Sequence, residues 1–127
     1  MKLFTLDEAN ALLPSVRKKL ERIQRLYLRI SELRESAKEA AVASEFSGGM
    51  KEGPGYVKAL YEVGKLTTDL HEMGVQLKDY TRGLVDFPYM RDDRIVLLCW
   101  QIDDGDEIEW WHEVEAGFAG RQPLREL

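Results

Sequence analysis

Hydrophobic positions along the chain fall into two regimes. From Val16 onward, Leu20, Ile23, Tyr27, Ile30, Ala37 and Ala41 follow alternating steps of four and three, with Arg34 as the polar interruption and Leu26, Leu33 and Ala40 widening the stripe. That spacing is the buried face of an α-helix packed lengthwise on another helix. Before it, Thr5 and Glu8 have capping-box spacing, and Pro14 removes a helical donor and disfavours the helical conformation of Leu13. The expectation is a short first helix, a break at Pro14, and a long helix beyond. The glycines and proline of "SGGMKEGPG", Ser47 to Gly55, predict a loop. A second helix is predicted from about Pro54 to Met73, with Tyr56, Leu60, Val63, Thr67 and Leu70 on its inner stripe and Gly74 as its stop. Two helices joined by a short loop lie antiparallel.

After Gly74 the period changes to two. "VQLKD", "GLVDFP", "RIVLLCWQ" and "EIEWWHEV" read as short strands of an antiparallel meander, the last pair a hairpin around Asp104-Gly105. In the third segment Val96, Leu98 and Trp100 face one way and Ile95, Leu97 and Cys99 the other, so both sides need covering. The helical hairpin can cover one side; the other needs the C-terminal tail or a second subunit. Alternation in the last strand puts Ile108, Trp110, His112 and Val114 on one face, inward, and Trp111 among acids on the outer face. The predicted fold class is α+β: a long antiparallel helical hairpin, residues 1–74, followed by a small antiparallel β-sheet meander and tail, residues 75–127, as a single domain.

Composition adds limits. A chain of 127 residues, 44% hydrophobic and 32% charged, buries a core without staples. No apolar run approaches the ~18 residues of a membrane span, so no membrane partner is expected. The N-terminus lacks the pattern of a signal peptide, and the single cysteine, Cys99, rules out an internal disulfide; a cytoplasmic location is expected. The net charge of −5 disfavours nucleic acid as a partner. Charge is nonetheless polarised. Arg17, Lys18, Lys19, Arg22, Arg25, Arg29 and Arg34 crowd the long helix, while the segment from Asp103 to Glu115 carries acids and no Lys or Arg.

Chemistry concentrates in the sheet region. Asp86 sits between apolar neighbours, where a carboxylate needs a partner. His112 and Arg121 are the natural ones, and an Asp–His pair fixes the histidine tautomer. Glu115 lies three residues after His112, a spacing that shares a face on a helix but not on a strand. Gly117 and Gly120 suggest turns that present Phe118 and Arg121, and Arg121 could clamp an anion. Asp86, His112, Glu115 and Arg121 thus form a candidate ligand or anchor cluster, either structural or functional. With two histidines and one cysteine, even adding His71, Glu72 and Asp79, no metal site is expected, and no cofactor or catalytic residue. Cys99 is expected buried and inert.

"FTLDEANALLP", "GLVDFP", "RIVLLCW" and "WHEVEAGFAGRQP" together resemble a family of small, uncharacterised prokaryotic proteins known as the domain of unknown function numbered 2203. The resemblance implies a single domain and a prokaryotic origin; it implies no activity, cofactor or catalytic residue. The leading functional expectation is a non-enzymatic homodimeric interaction module, from the long seam, the two-sided strand and the opposed charges. The alternatives are a small-ligand or metal-assisted site at the Asp86 cluster, its ligand unspecified, and nucleic-acid binding through the stripe Lys18, Arg22, Arg25 and Arg29, for which a solvated face is the simpler account.

Overall fold

A computed structural model describes residues 1–43 and 53–126. Helix α1 spans Leu6–Ala43 and α2 spans Gly53–Glu72. The two run antiparallel, since Arg22 meets Glu62 while Arg34 meets Tyr56. The expected capping box forms: Thr5 N–H donates to Glu8 (2.8 Å) and Glu8 N–H to the Thr5 hydroxyl (3.0 Å). The expected break does not. Pro14 lies inside one continuous helix, exposed on its solvent side. An interior proline costs about 3 kcal/mol, but Leu13, Val16 and Leu20 are each 2% exposed or less, and burying each such side chain is worth about 1.5–3 kcal/mol. The seam continues through the proline and outweighs it. Most of the loop expected over 47–55 lies outside the described residues.

Helix α2 ends as Gly74 predicted. Gly74 takes φ +87°, its N–H donates to the His71 carbonyl (2.9 Å), and Val75 N–H reaches back to Leu70 (3.0 Å), a Schellman closure. The inner stripe differs from expectation. Ala59, Val63 and Leu70 are buried, with Tyr56 and Leu66 beside them, while Leu60 is 41% exposed and Thr67 faces solvent. A step of four from Tyr56 predicts Leu60 inside, whereas the helix turns Ala59 inward.

The sheet has five strands in sequential order, all pairs antiparallel: β1 Gln76–Asp79, β2 Leu84–Arg91, β3 Arg94–Gln101, β4 Trp110–Glu113 and β5 Gln122–Pro123. The tight hairpin joins β2 to β3, where Asp92 and Asp93 both take positive φ (46° and 64°), as a two-residue turn of this hand requires. The turn expected at Asp104-Gly105 is instead a longer connection, residues 102–109, opening on a 3-10 turn at Ile102–Asp104. Two anchors hold it open. Asp104 accepts from Gln101 N–H (2.9 Å), and the Gly105 carbonyl accepts from Arg17 (2.7 Å) and from Trp100 (3.1 Å).

One sheet face packs on the helices. Val85, Phe87, Val96, Leu98, Trp100 and Trp111 join Ala9, Leu13, Val16, Leu20 and Ile23 of α1 and Leu70 of α2 in the main core. Leu26, Ile30, Ala59 and Val63 form a second cluster between the helices. Trp111 therefore corrects the expectation of an outer, acidic face: it is 3% exposed, opposite Leu98 in the β3–β4 register. Its acidic neighbours do not share its surroundings, because Glu109 precedes the strand and Glu113, at its end, is bound by Arg94. Ile108 reaches the same core from the connection, its N–H donating to Asn10 Oδ1 (2.7 Å), while Val114 is exposed. On the opposite sheet face Leu97 and Cys99 are buried too, and on that side the tail's Arg121 lies over the rings of both Trp110 and Phe118.

Candidate functional site

Strand alternation and register build the site. Asp86 on β2 stands opposite Cys99 on β3, and Leu97 opposite His112 on β4. Asp86, Leu97, Cys99 and His112 thus share the face turned away from the helices. Asp86 and His112 are each 2% exposed. His112 Nε2 lies 3.1 Å from Asp86 Oδ1 and 3.0 Å from Oδ2, and Nδ1 lies 2.7 Å from the Glu113 carbonyl oxygen. A carbonyl oxygen only accepts, so Nδ1 carries a hydrogen and donates it. The Nε2–carboxylate contact is then attractive only with a further proton between the two groups.

Electrostatics agree with that geometry. Burial pushes the Asp86 carboxyl above its ordinary value of 3.8, opposed by His112 and by a hydrogen bond from the Cys99 thiol. Burial and the neighbouring Asp86 push the Cys99 thiol up to about 12, so Cys99 is a thiol and no nucleophile. Its position beside Asp86 was not foreseen. Alternation had put Cys99 on the right face, but only the β2–β3 register sets it across from Asp86.

The other expected members sit apart from the pair. Arg121 bonds Asp104 rather than Asp86, with its guanidinium 4.8 Å from the ring centres of both Trp110 and Phe118. Its Nε is buried without a hydrogen-bond partner among the described residues. Glu115 is exposed on the turn after β4. His71 and Glu72 are exposed at the end of α2, and Asp79 accepts from the N–H groups of Thr81 and Arg82. Among the described residues, Asp86, Cys99 and His112 are the one trio of His, Cys, Asp or Glu whose ligand atoms all lie within 4.8 Å of one another. A separate groove of about 460 Å³ runs between the start of α1 and β4–β5, lined by Leu6, Ile108, Trp110, Pro123 and Leu124 among others, and contains none of the expected residues.

Part of the basic helix is paired within the chain. Arg17 reaches the acidic connection, bonding the Ile102 and Gly105 carbonyls with Asp106 at 3.8 Å. Arg22 is held by both oxygens of Glu62 (2.6 and 2.9 Å) and Arg29 lies 3.7 Å from Glu32, while Lys18 and Arg25 are exposed. No helix among the described residues is long and apolar enough to cross a membrane. No curated protein and no solved structure shows significant similarity to the chain. The family model described as an uncharacterized conserved protein (DUF2203) matches residues 2–124, and the chain belongs to that family.

Proposed function

We propose that the protein is a non-enzymatic interaction module that works as a homodimer, assembled through the outer face of α2. Gly64 carries the reading. It sits mid-helix, where glycine costs about 1 kcal/mol against alanine, and a Cβ placed on it would meet nothing within 4 Å. Nothing among the described residues calls for a glycine there, whereas a second backbone crossing at that point would.

The surroundings fit a helix partner. Val57 (65% exposed), Tyr61 (73%) and Leu60 (41%) border Gly64, and Val57, Tyr61, Gly64 and Thr68 repeat the four-three spacing of a packing seam. The partner that suits this face is another copy. Lys58 lies toward the start of α2 and Asp69 and Glu72 toward its end, so two copies crossing antiparallel at Gly64 bring Lys58 of each toward the acids of the other. The other grounds for a dimer are weaker within this fold, since Arg17 and Arg22 have internal partners and β3 is buried on both sides.

Sedimentation equilibrium at low-micromolar concentration tests the proposal. The wild-type chain should be dimeric; Tyr61→Glu and Gly64→Gln, both at exposed positions, should be monomeric with unchanged circular dichroism. A monomeric wild type across the micromolar range overturns it.

A further inference from the structure

We infer that Asp86, Cys99 and His112 form a binding site for one divalent transition-metal ion of the zinc type. The inference stands apart from the dimer, because these residues lie on the sheet face away from the helices. Composition alone predicts no metal site here; the strand register is what brings these three residues together.

Three consecutive strands each contribute one donor, and the donors converge within 4.8 Å. A carboxylate oxygen, a sulfur and an imidazole nitrogen are the ligands zinc takes, whereas calcium and magnesium take oxygen alone. The edge from His112 Nε2 to the Asp86 oxygens, 3.0–3.1 Å, is close to the ~3.3 Å that separates two ligands held about 2.0–2.1 Å from a tetrahedral ion. The outer hydrogen bond is already in place. Nδ1–H donates to the Glu113 carbonyl at 2.7 Å, which fixes the ring and points Nε2 at the other two donors, as in metal-bound histidines. Three protein ligands leave a fourth position to a non-protein ligand.

Charge favours the exchange. Without metal the trio carries two removable protons, one shared by His112 and Asp86 and one on the Cys99 thiol, and is neutral. An ion of charge +2 enters and both protons leave; carboxylate and thiolate then cancel the ion, so the buried site is neutral before and after. No oxidation or reduction takes place. Of the cations whose charge reaches the trio, Arg121 is itself neutralised by Asp104 and Lys78 is exposed to solvent.

The full chain, stripped with chelator and refolded with Co²⁺ so that the buried site can load, provides the test. Cys99 is the single cysteine, so a thiolate-to-cobalt charge-transfer band can arise nowhere else. The band should saturate at one ion per chain, disappear on adding Zn²⁺, and be absent in Cys99→Ala. Calorimetry in buffers of different ionisation heat should show two protons released, and apparent affinity should rise about a hundredfold per pH unit while both protons are bound. If Cys99→Ala does not fold, the wild type decides alone through its band and its Tm with Zn²⁺ against chelator. A folded wild-type chain with neither a band nor a zinc-dependent Tm overturns the inference.

Discussion

Arg17 and Trp100 donate to one acceptor, the carbonyl oxygen of Gly105, at 2.7 and 3.1 Å, with the guanidinium stacked 4.9 Å from the indole centre. A residue of α1 thereby pins the acidic connection over the end of β3. Arg17→Met keeps much of the stem but loses the bonds to Ile102 and Gly105. With the side chain 29% exposed, the loss should be about 1–2 kcal/mol in urea unfolding. Arg17→Lys should recover less than half, because a single ammonium cannot span both carbonyls and stack on the ring. Full recovery by lysine would reduce the contact to simple charge.

Trp111 separates size from polarity. Its ring is buried in the main core, yet its Nε1–H has no partner among the described residues. Trp111→Ala should cost about 3–5 kcal/mol. Trp111→Phe should cost far less, about 1–2 kcal/mol, because the smaller ring also removes an unsatisfied donor. Equal losses in the two variants would mean that Nε1–H finds an acceptor in solution.

The buried carboxylate gives a pH signature. The Asp86 carboxyl is pushed up by burial from its ordinary 3.8, so the folded chain holds this proton more tightly than the unfolded one. The stability it contributes is complete below 3.8 and is lost as pH rises through the folded value. Glu8, Glu62 and Glu113, lowered by hydrogen bonds to Thr5, Arg22 and Arg94, act in the opposite sense, so the comparison must be between variants. Relative to Asp86→Asn, the wild type should lose ground in Tm as pH is raised from below 3.8. A constant difference across that range would contradict the assignment.

Two glycines should respond in opposite ways to alanine. Gly83 has φ +63°, and a Cβ there would lie 2.6 Å from Ile102 Cδ1; Gly83→Ala should cost about 1–3 kcal/mol. Gly64→Ala should stabilise the isolated subunit by up to about 1 kcal/mol through helix propensity, while weakening self-association. Thermal unfolding at two protein concentrations separates the effects: higher Tm when dilute, and a smaller rise with concentration than in the wild type.

What could be read from the chain alone was what local chemistry decides. The Thr5–Glu8 box, the Gly74 stop and the two-sided alternation of β3 each depend on a few neighbouring residues. Pro14 misled because its local cost is smaller than the burial along a whole helix. Alternation counted from Ile108 exchanges the faces of Trp110 and Trp111, because Ile108 lies in the connection before β4 and not in the strand. The Asp92-Asp93 turn lacks the usual asparagine-glycine signal. Of the candidate cluster, the Asp86–His112 contact was foreseeable, since a carboxylate among apolar residues needs a partner. Arg121 bonding Asp104, and Cys99 lying beside Asp86, follow from register and tail placement, which no local pattern carries.

Sequential strand order has a consequence for how the chain folds. Each strand lies beside its predecessor, so the sheet can zip up through short closures at small entropic cost. The helix that covers it comes from far away: Arg17 and Ile102 are 85 positions apart. Docking α1 is therefore the entropically expensive event, in a molecule whose strands otherwise pair only with the strands next to them in sequence.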